Sequence, residues 1–199
     1  GLICGKNEKY IRMWCEIPYN EIDFSVKAIS ELPNSEKTWY PYNHGGERRK
    51  WYGNHNEVVN MYNNAKQMRS ESNSMFRNEN YYFKYGITWN RIGSGYNFAS
   101  RKALAGFAFD DISPSGFSYK DKCYYYILGY MNTKVFNSYL KLFCTKMKTE
   151  IGHIQNVPFV ENYEYKSVID KLVKENIALS KADWDSFETS WDFEGHPLV

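Results

Sequence analysis

The chain has 199 residues, of which 43% are apolar, 18% aromatic and 24% charged, a length that suits one domain with an appendage and a composition that excludes a disordered polypeptide. The formal net charge is only +2, so neither a polycationic nor a polyanionic chain is at hand. There is no run of 18 apolar residues and no charged-then-apolar leader, so a cytoplasmic protein without a membrane span is expected.

Taken from its N terminus, the chain opens at Gly1 rather than at an initiator Met, and a fragment of a longer polypeptide is expected. Cys4, Cys15, Cys123 and Cys144 form no CxxC pair and have no histidine at metal-ligand spacing, so they are read as reduced thiols. Residues 37–102 hold 11 Lys and Arg against four Glu, an excess of seven positive charges, so the other residues sum to −5.

Within that basic middle, segment 37–54 has the ingredients of a nucleic-acid contact loop. Lys37, Arg48, Arg49 and Lys50 suit phosphates or guanine edges, and Asn43 and Asn54 suit adenine edges. Trp39 adds an aromatic face, and the glycines allow close backbone approach. The competing reading is a β-hairpin turning at Gly45-Gly46, with Trp39, Tyr40, Trp51 and Tyr52 packed across it and the cations merely solvated. Short strands are expected at Tyr81-Tyr82-Phe83, Ile87-Thr88-Trp89 and Gly106-Phe107-Ala108-Phe109. A second basic stretch with Arg91, Ser94, Arg101 and Lys102 would complete a groove if it shared a face with the first loop, and Lys84 is placed with this DNA-binding set.

From Asp121 to Phe143 the spacing of Tyr124, Ile127, Leu128, Met131, Val135, Tyr139 and Leu142 predicts an amphipathic helix, broken near Gly129 or Asn132. Val168, Ile169, Leu172, Val173 and Ile177 predict another over about 165–179. Beyond it the chain turns acidic, and Trp184, Trp191 and Phe193 are expected to dock on something outside the chain. The fold class is therefore α+β, a mixed β-rich globule over 1–160 followed by amphipathic helices and an irregular acidic tail over 161–199.

Reaction chemistry is sparse. None of the six prolines follows Asn or Asp or adjoins another proline, so the Asn/Asp-Pro-Pro-aromatic motif of amino-methyltransferases is absent. Gly93-Ser94-Gly95 follows no clear parallel strand and makes a poor cofactor loop. Glu164-Tyr165-Lys166 with Asp110-Asp111 is a poor match to a nuclease metal site. The histidines His44, His55, His153 and His196 have no activated nucleophile beside them. No catalytic, cofactor-binding or metal-binding residue is assigned.

Read as a string, the chain resembles the C-terminal part of the BREX-type adenine-specific DNA methyltransferases, the PglX family. The stretches that carry the resemblance are Gly1-Leu2, Gly5-Lys6-Asn7 and Arg12; Trp39-Tyr40-Pro41-Tyr42-Asn43 with Gly45-Gly46 and residues 48–54; Tyr82-Phe83-Lys84 with Gly86-Ile87-Thr88-Trp89; Gly106-Phe107 with Phe109-Asp110; and residues 183–193 with His196-Pro197-Leu198. Leu128-Gly129-Tyr130-Met131-Asn132-Thr133-Lys134, Gly152-His153-Ile154 and Val157-Pro158 are similar to the close of a type I specificity-subunit recognition domain. Cys4 stands where Thr is usual, and Asp111-Ile112-Ser113-Pro114 replaces a smaller glycine-containing stretch.

The resemblance implies a target-recognition domain for double-stranded DNA over residues 1–160 and a tail over 161–199 that docks on the rest of the enzyme. It implies a parent that consumes S-adenosylmethionine and methylates N6 of adenine in phage defence, with its cofactor fold and catalytic motif N-terminal to Gly1. The implied partners are double-stranded DNA, the N-terminal methyltransferase domain and other defence-system proteins, with no membrane. The alternative is a protein-interaction module joining the methyltransferase domain to other defence components.

Overall fold

Short apolar and aromatic runs interrupted by Gly, Asn and Ser favour small sheets over one large one. In the computed structural model, which describes residues 1–92, 97–118, 121–144, 148–160, 162 and 164–198, they build three. In chain order the elements are β1 (Leu2–Ile3), α1 (Asn7–Tyr10), β2 (Ile11–Met13), β3 (Trp39–Asn43), β4 (Glu57–Asn60), α2 (Tyr62–Arg69), β5 (Met75–Phe76), β6 (Gly86–Trp89), β7 (Ser100–Ala103), β8 (Ala108–Phe109) and β9 (Ser115–Gly116). Four helices follow: α3 (Tyr124–Met131), α4 (Lys134–Phe143), α5 (Ile151–Gln155) and α6 (Lys166–Asp185). The fold is α+β, as the sequence predicts.

The largest sheet runs β2-β4-β3-β8, antiparallel except for the parallel β3–β8 pair. A second sheet runs β7-β6-β9 and is antiparallel throughout, and β1 pairs with β5. Every residue of β3 and β6 is buried. On β3, Tyr40 and Tyr42 enter the main core with Val59, Met61, Phe83 and Phe109, while Trp39 joins Ile22 and Val58 on the other face. This is the period-two alternation of a strand covered on both sides.

Two local expectations fail. The Tyr81-Tyr82-Phe83 run is no strand: a 3-10 turn over Glu79–Tyr81 leads into Phe83 at φ 68°, whose N–H donates to Phe107 O and whose carbonyl accepts from Gly106 N–H, both at 2.8 Å. Burial of Tyr82 and Phe83 in the core overrides their strand propensity. Nor is there a tight hairpin at Gly45-Gly46. β3 and β4 do pair, Tyr40 opposite Val59, but residues 44–56 connect them, and Trp51 leaves to bridge with Arg101 of β7.

The predicted amphipathic stretch forms α3 and α4 and breaks at Asn132. That side chain is buried and takes both backbone groups of Ser100, accepting its N–H at 3.1 Å and donating to its carbonyl at 2.9 Å, so it clamps β7 to the helix end. Thr133 then caps α4, its Oγ1 accepting from Phe136 N–H at 3.1 Å. Gly129 does not break the helix. A Cβ there would stand 2.8 Å from Val173 Cγ2, so its bare backbone admits α6 against α3. Leu128, Met131, Phe136, Leu140 and Val173 form the second core beneath β6 and β7.

The tail's two tryptophans pack on this chain. α6 runs on past its expected end to Asp185. Trp184 is buried, and the Trp191 ring packs on Phe24, Phe107 and His55 at 5.2–6.3 Å. Trp14 Nε1 donates to Thr189 O at 3.0 Å. The physical reason is that the globule leaves an aromatic hollow around His55 that nothing else in the described chain fills.

Candidate nucleic-acid interface

The most built surface feature is loop 44–56. Five of its residues, Gly45, Gly46, Trp51, Gly53 and Asn54, have left-handed backbone, which folds thirteen residues back on themselves. Its carbonyls are gripped from beneath. Arg101 Nη2 donates to Gly45 O at 3.1 Å, Asn90 Nδ2 to Gly46 O at 2.7 Å and Glu47 O at 3.2 Å, and Asn54 Nδ2 to Glu47 O at 2.7 Å.

Arg101 is the centre of this platform. It is fully buried, gives Nη1 to Asn90 Oδ1 at 2.9 Å and Nη2 to Asn43 Oδ1 at 3.1 Å, and Asn43 in turn donates to Thr88 Oγ1 at 2.8 Å. Burial pulls its guanidinium pKa down to about 10, which still leaves it charged near neutrality. A buried cation on neutral acceptors is expensive to desolvate, and its geometry fixes the chain around it.

Above the platform the loop presents Arg48, Arg49 and Lys50. Arg48 is exposed, and its Nε donates to Asn97 O at 2.6 Å. Lys50 Nζ donates to Asn132 O at 2.9 Å at the C-terminal end of α3. Partial burial and the neighbouring Arg48 hold its pKa below the usual lysine value. Between the loop and residues 97–99 lies a cleft of about 190 Å³, lined by Gly46, Arg48, Arg49, Asn90, Asn97 and Phe98 among others.

Among the described residues of the second basic stretch, neither arginine is presented beside the loop. Arg101 points inward, and Arg91 is held by Glu150 at 2.9–3.2 Å and by Asp111 at 3.0 Å, so it ties two loops together. Trp39, Asn43, Asn54 and Arg101, which the sequence places in the contact set, are 8% exposed or less. Every residue of β3 and every residue of β7 but Lys102 is buried, Asn43 and Arg101 hydrogen-bond each other there, and Asn54 turns into the loop to donate to Glu47 O.

Lys37 is exposed at the opposite end of β3, donating to Asn20 O, and Lys84 lies 5.4 Å from the Tyr81 ring centre, so neither joins the loop. Lys102 is half-buried beside Trp51, to whose carbonyl its N–H donates at 2.9 Å. Ser94 and the Gly93-Ser94-Gly95 loop lie outside the described residues. Sequence reasoning missed Asn90, Asn97 and Asn132, because only folding shows which polar residues meet a backbone.

A second polar cluster lies behind the loop. His44 Nδ1 contacts Glu57 Oε2 at 2.9 Å and its Nε2 lies 3.4 Å from Asp110 Oδ2. The Glu57 hydrogen bond raises the histidine pKa, and burial pushes the Asp110 carboxyl up to about 6. Cys4 is buried with its thiol pushed up to about 12, and among the described residues no cysteine is in a disulfide. Among the described residues no group of three or more His, Cys, Asp or Glu is placed to hold a metal ion. No helix among them is long and apolar enough to cross a membrane.

Fold and site thus define an α+β chain with a cationic loop held from beneath by buried polar side chains. No protein-family model matches the chain. Two curated proteins are similar along nearly all of it. The adenine-specific methyltransferase PglX of Lacticaseibacillus casei (strain Zhang) is 34% identical over 206 residues, 100% of this chain and 17% of that protein. The adenine-specific methyltransferase BrxX of Escherichia coli O9:H4 (strain HS) is 32% identical over 197 residues, 98% of this chain and 15% of that protein. The chain therefore spans about a sixth of the length of the curated relatives it matches.

Proposed function

We propose that this chain is the double-stranded-DNA recognition region of an adenine-specific DNA methyltransferase of the BREX PglX kind, an enzyme that marks adenine N6 in phage defence. The observation that carries the reading is the platform under loop 44–56. A buried guanidinium and two asparagine amides hold the backbone at Gly45, Gly46 and Glu47, so that Arg48, Arg49 and Lys50 are presented on a fixed frame. Preorganised cations bind a phosphate backbone without the entropy cost of ordering a loose loop.

The matched relatives bear the name of adenine-specific methyltransferases, which supports DNA as the partner. S-adenosylmethionine and the transfer step are assigned to the part of such an enzyme outside this chain. The contact set is revised to Arg48, Arg49 and Lys50, with Asn97 at the cleft.

The test is binding of a fluorescent 20-base-pair duplex over a salt series. The wild-type chain is expected to bind with an affinity that falls steeply with salt, and Arg48→Ala to lower the log–log slope by about one. Salt-independent binding, or an unchanged slope in Arg48→Ala, overturns the reading.

The second reading, a protein-interaction module, is favoured by a different observation from the one first expected. The tail tryptophans are covered by this chain, but Val135, Tyr139 and Leu142 on α4 and Val168, Leu172 and Leu179 on α6 are 42–72% exposed. Those stripes suit packing against the methyltransferase domain or other defence-system proteins.

A further inference from the structure

The end of α6 meets the cationic loop at a single built point. Arg49 lies with its Cζ 4.8 Å from the Trp184 ring centre, and its Nη1 reaches Asp183 Oδ2 at 3.3 Å. Gly53 makes this stack possible. At φ 116° a Cβ there would stand 2.8 Å from Arg49 Cδ and 3.0 Å from Trp184 Cε3, so any side chain would separate the three. Trp184 is itself seated on His55, at 6.3 Å between ring centres, and 6% exposed, whereas the Asp183 side chain is 65% exposed. A buried aromatic thus supports the arginine from one side while an exposed carboxylate occupies its outer edge.

Resting on the DNA-binding reading above, we propose that the end of α6 belongs to the reading apparatus: Trp184 is a positioning residue that holds Arg49 toward the cleft, and Asp183 holds its guanidinium in place of a backbone phosphate until DNA displaces it. Stacking leaves the donor edge of a planar guanidinium free to turn from one oxyanion to another. A surface carboxylate pair is weak, so a phosphate displaces it at small cost. The arrangement keeps a long, flexible side chain ordered in the free chain, and DNA gains a contact without having to order it. The acidic tail, which should repel DNA as a whole, contributes here through one residue placed where a phosphate would sit.

The test uses the full chain and a 20-base-pair duplex of random sequence, with stability of every variant checked by thermal unfolding. Asp183→Asn frees Arg49 and is expected to tighten binding two- to five-fold at low salt. Glu188→Gln, an exposed tail acid that reports general repulsion, is expected to change it by less than Asp183→Asn does. Arg49→Lys keeps the charge but loses the stack and the fork, and is expected to weaken binding about three-fold. Trp184→Phe keeps an aromatic face and stays near wild type, whereas Trp184→Leu lowers the salt slope by about one, as Arg49→Ala does. Equal effects of Asp183→Asn and Glu188→Gln, or an unchanged slope in Arg49→Ala, overturn this inference while leaving DNA binding intact. Failure of the wild-type chain to bind the duplex overturns both.

Discussion

Asp110 sits 3% exposed with its carboxylate 3.4 Å from His44 Nε2 and accepting from Ser113 N–H at 2.6 Å. Burial raises its pKa from 3.8 to about 6, and the Glu57 hydrogen bond raises that of His44 above 6.5. Both folded-state values lie above the unfolded ones. Each group therefore adds stability that is fully present below its unfolded pKa and is lost as pH rises through its folded pKa. The contribution of these two groups to the unfolding free energy is expected to fall as pH rises from about 4 to beyond 6, and Asp110→Asn to remove on the order of 3 kcal/mol of that fall. Urea denaturation at several pH values measures this, and a slope unchanged in the variant rules it out. The sequence marked Asp110 only in a poor nuclease match and in the family resemblance, never as an abnormally titrating group. A carboxylate titrates abnormally only because of what surrounds it, and its surroundings come from β3, β4 and the 110–113 turn. Arg101 teaches the same lesson: a cation in a basic stretch looks like a phosphate ligand until its side chain is found buried.

Among the elements, α4 shows how far periodicity reaches. The spacing of Val135, Tyr139 and Leu142 made the helix legible, but those three are 42–72% exposed, and Phe136 and Leu140, outside that stripe, are the buried ones; together the five make an apolar arc wider than a single packing face requires. Only half of that arc is used inside the chain. Leu140 is fully buried while Leu142 is 72% exposed. Leu140→Ala is expected to cost about 2–5 kcal/mol of stability, and Leu142→Ala less than about 0.5 kcal/mol. Equal losses in chemical denaturation would mean that the packing is wrong. The break at Asn132 was legible as a region, whereas its cause was not. Asn132 ends α3 because its amide pairs with Ser100, a partner 32 positions away. Local propensity likewise misjudged Tyr82 and Phe83, which bury as core anchors on a left-handed turn.

For the whole molecule, the tail's two tryptophans are part of the packing. Trp184 and Trp191 cover His55, Phe107 and Phe24 and brace the loop from behind at Gly53. A chain ending at residue 182 is expected to lose several kcal/mol and to bind a hydrophobic dye, because two tryptophans leave an apolar hollow open. Unaltered thermal unfolding of that truncation would contradict the account.

Sequence alone determined the α+β class, the two amphipathic stretches, the basic middle with its acidic tail and the resemblance to adenine-specific methyltransferases. Each is written in composition, in spacing or in contiguous strings. Tertiary structure alone decided which cations face solvent, which carbonyls they hold and where the tail's aromatics settle. Burial and hydrogen-bond partnership belong to pairs of residues far apart in the chain, and no single stretch carries them.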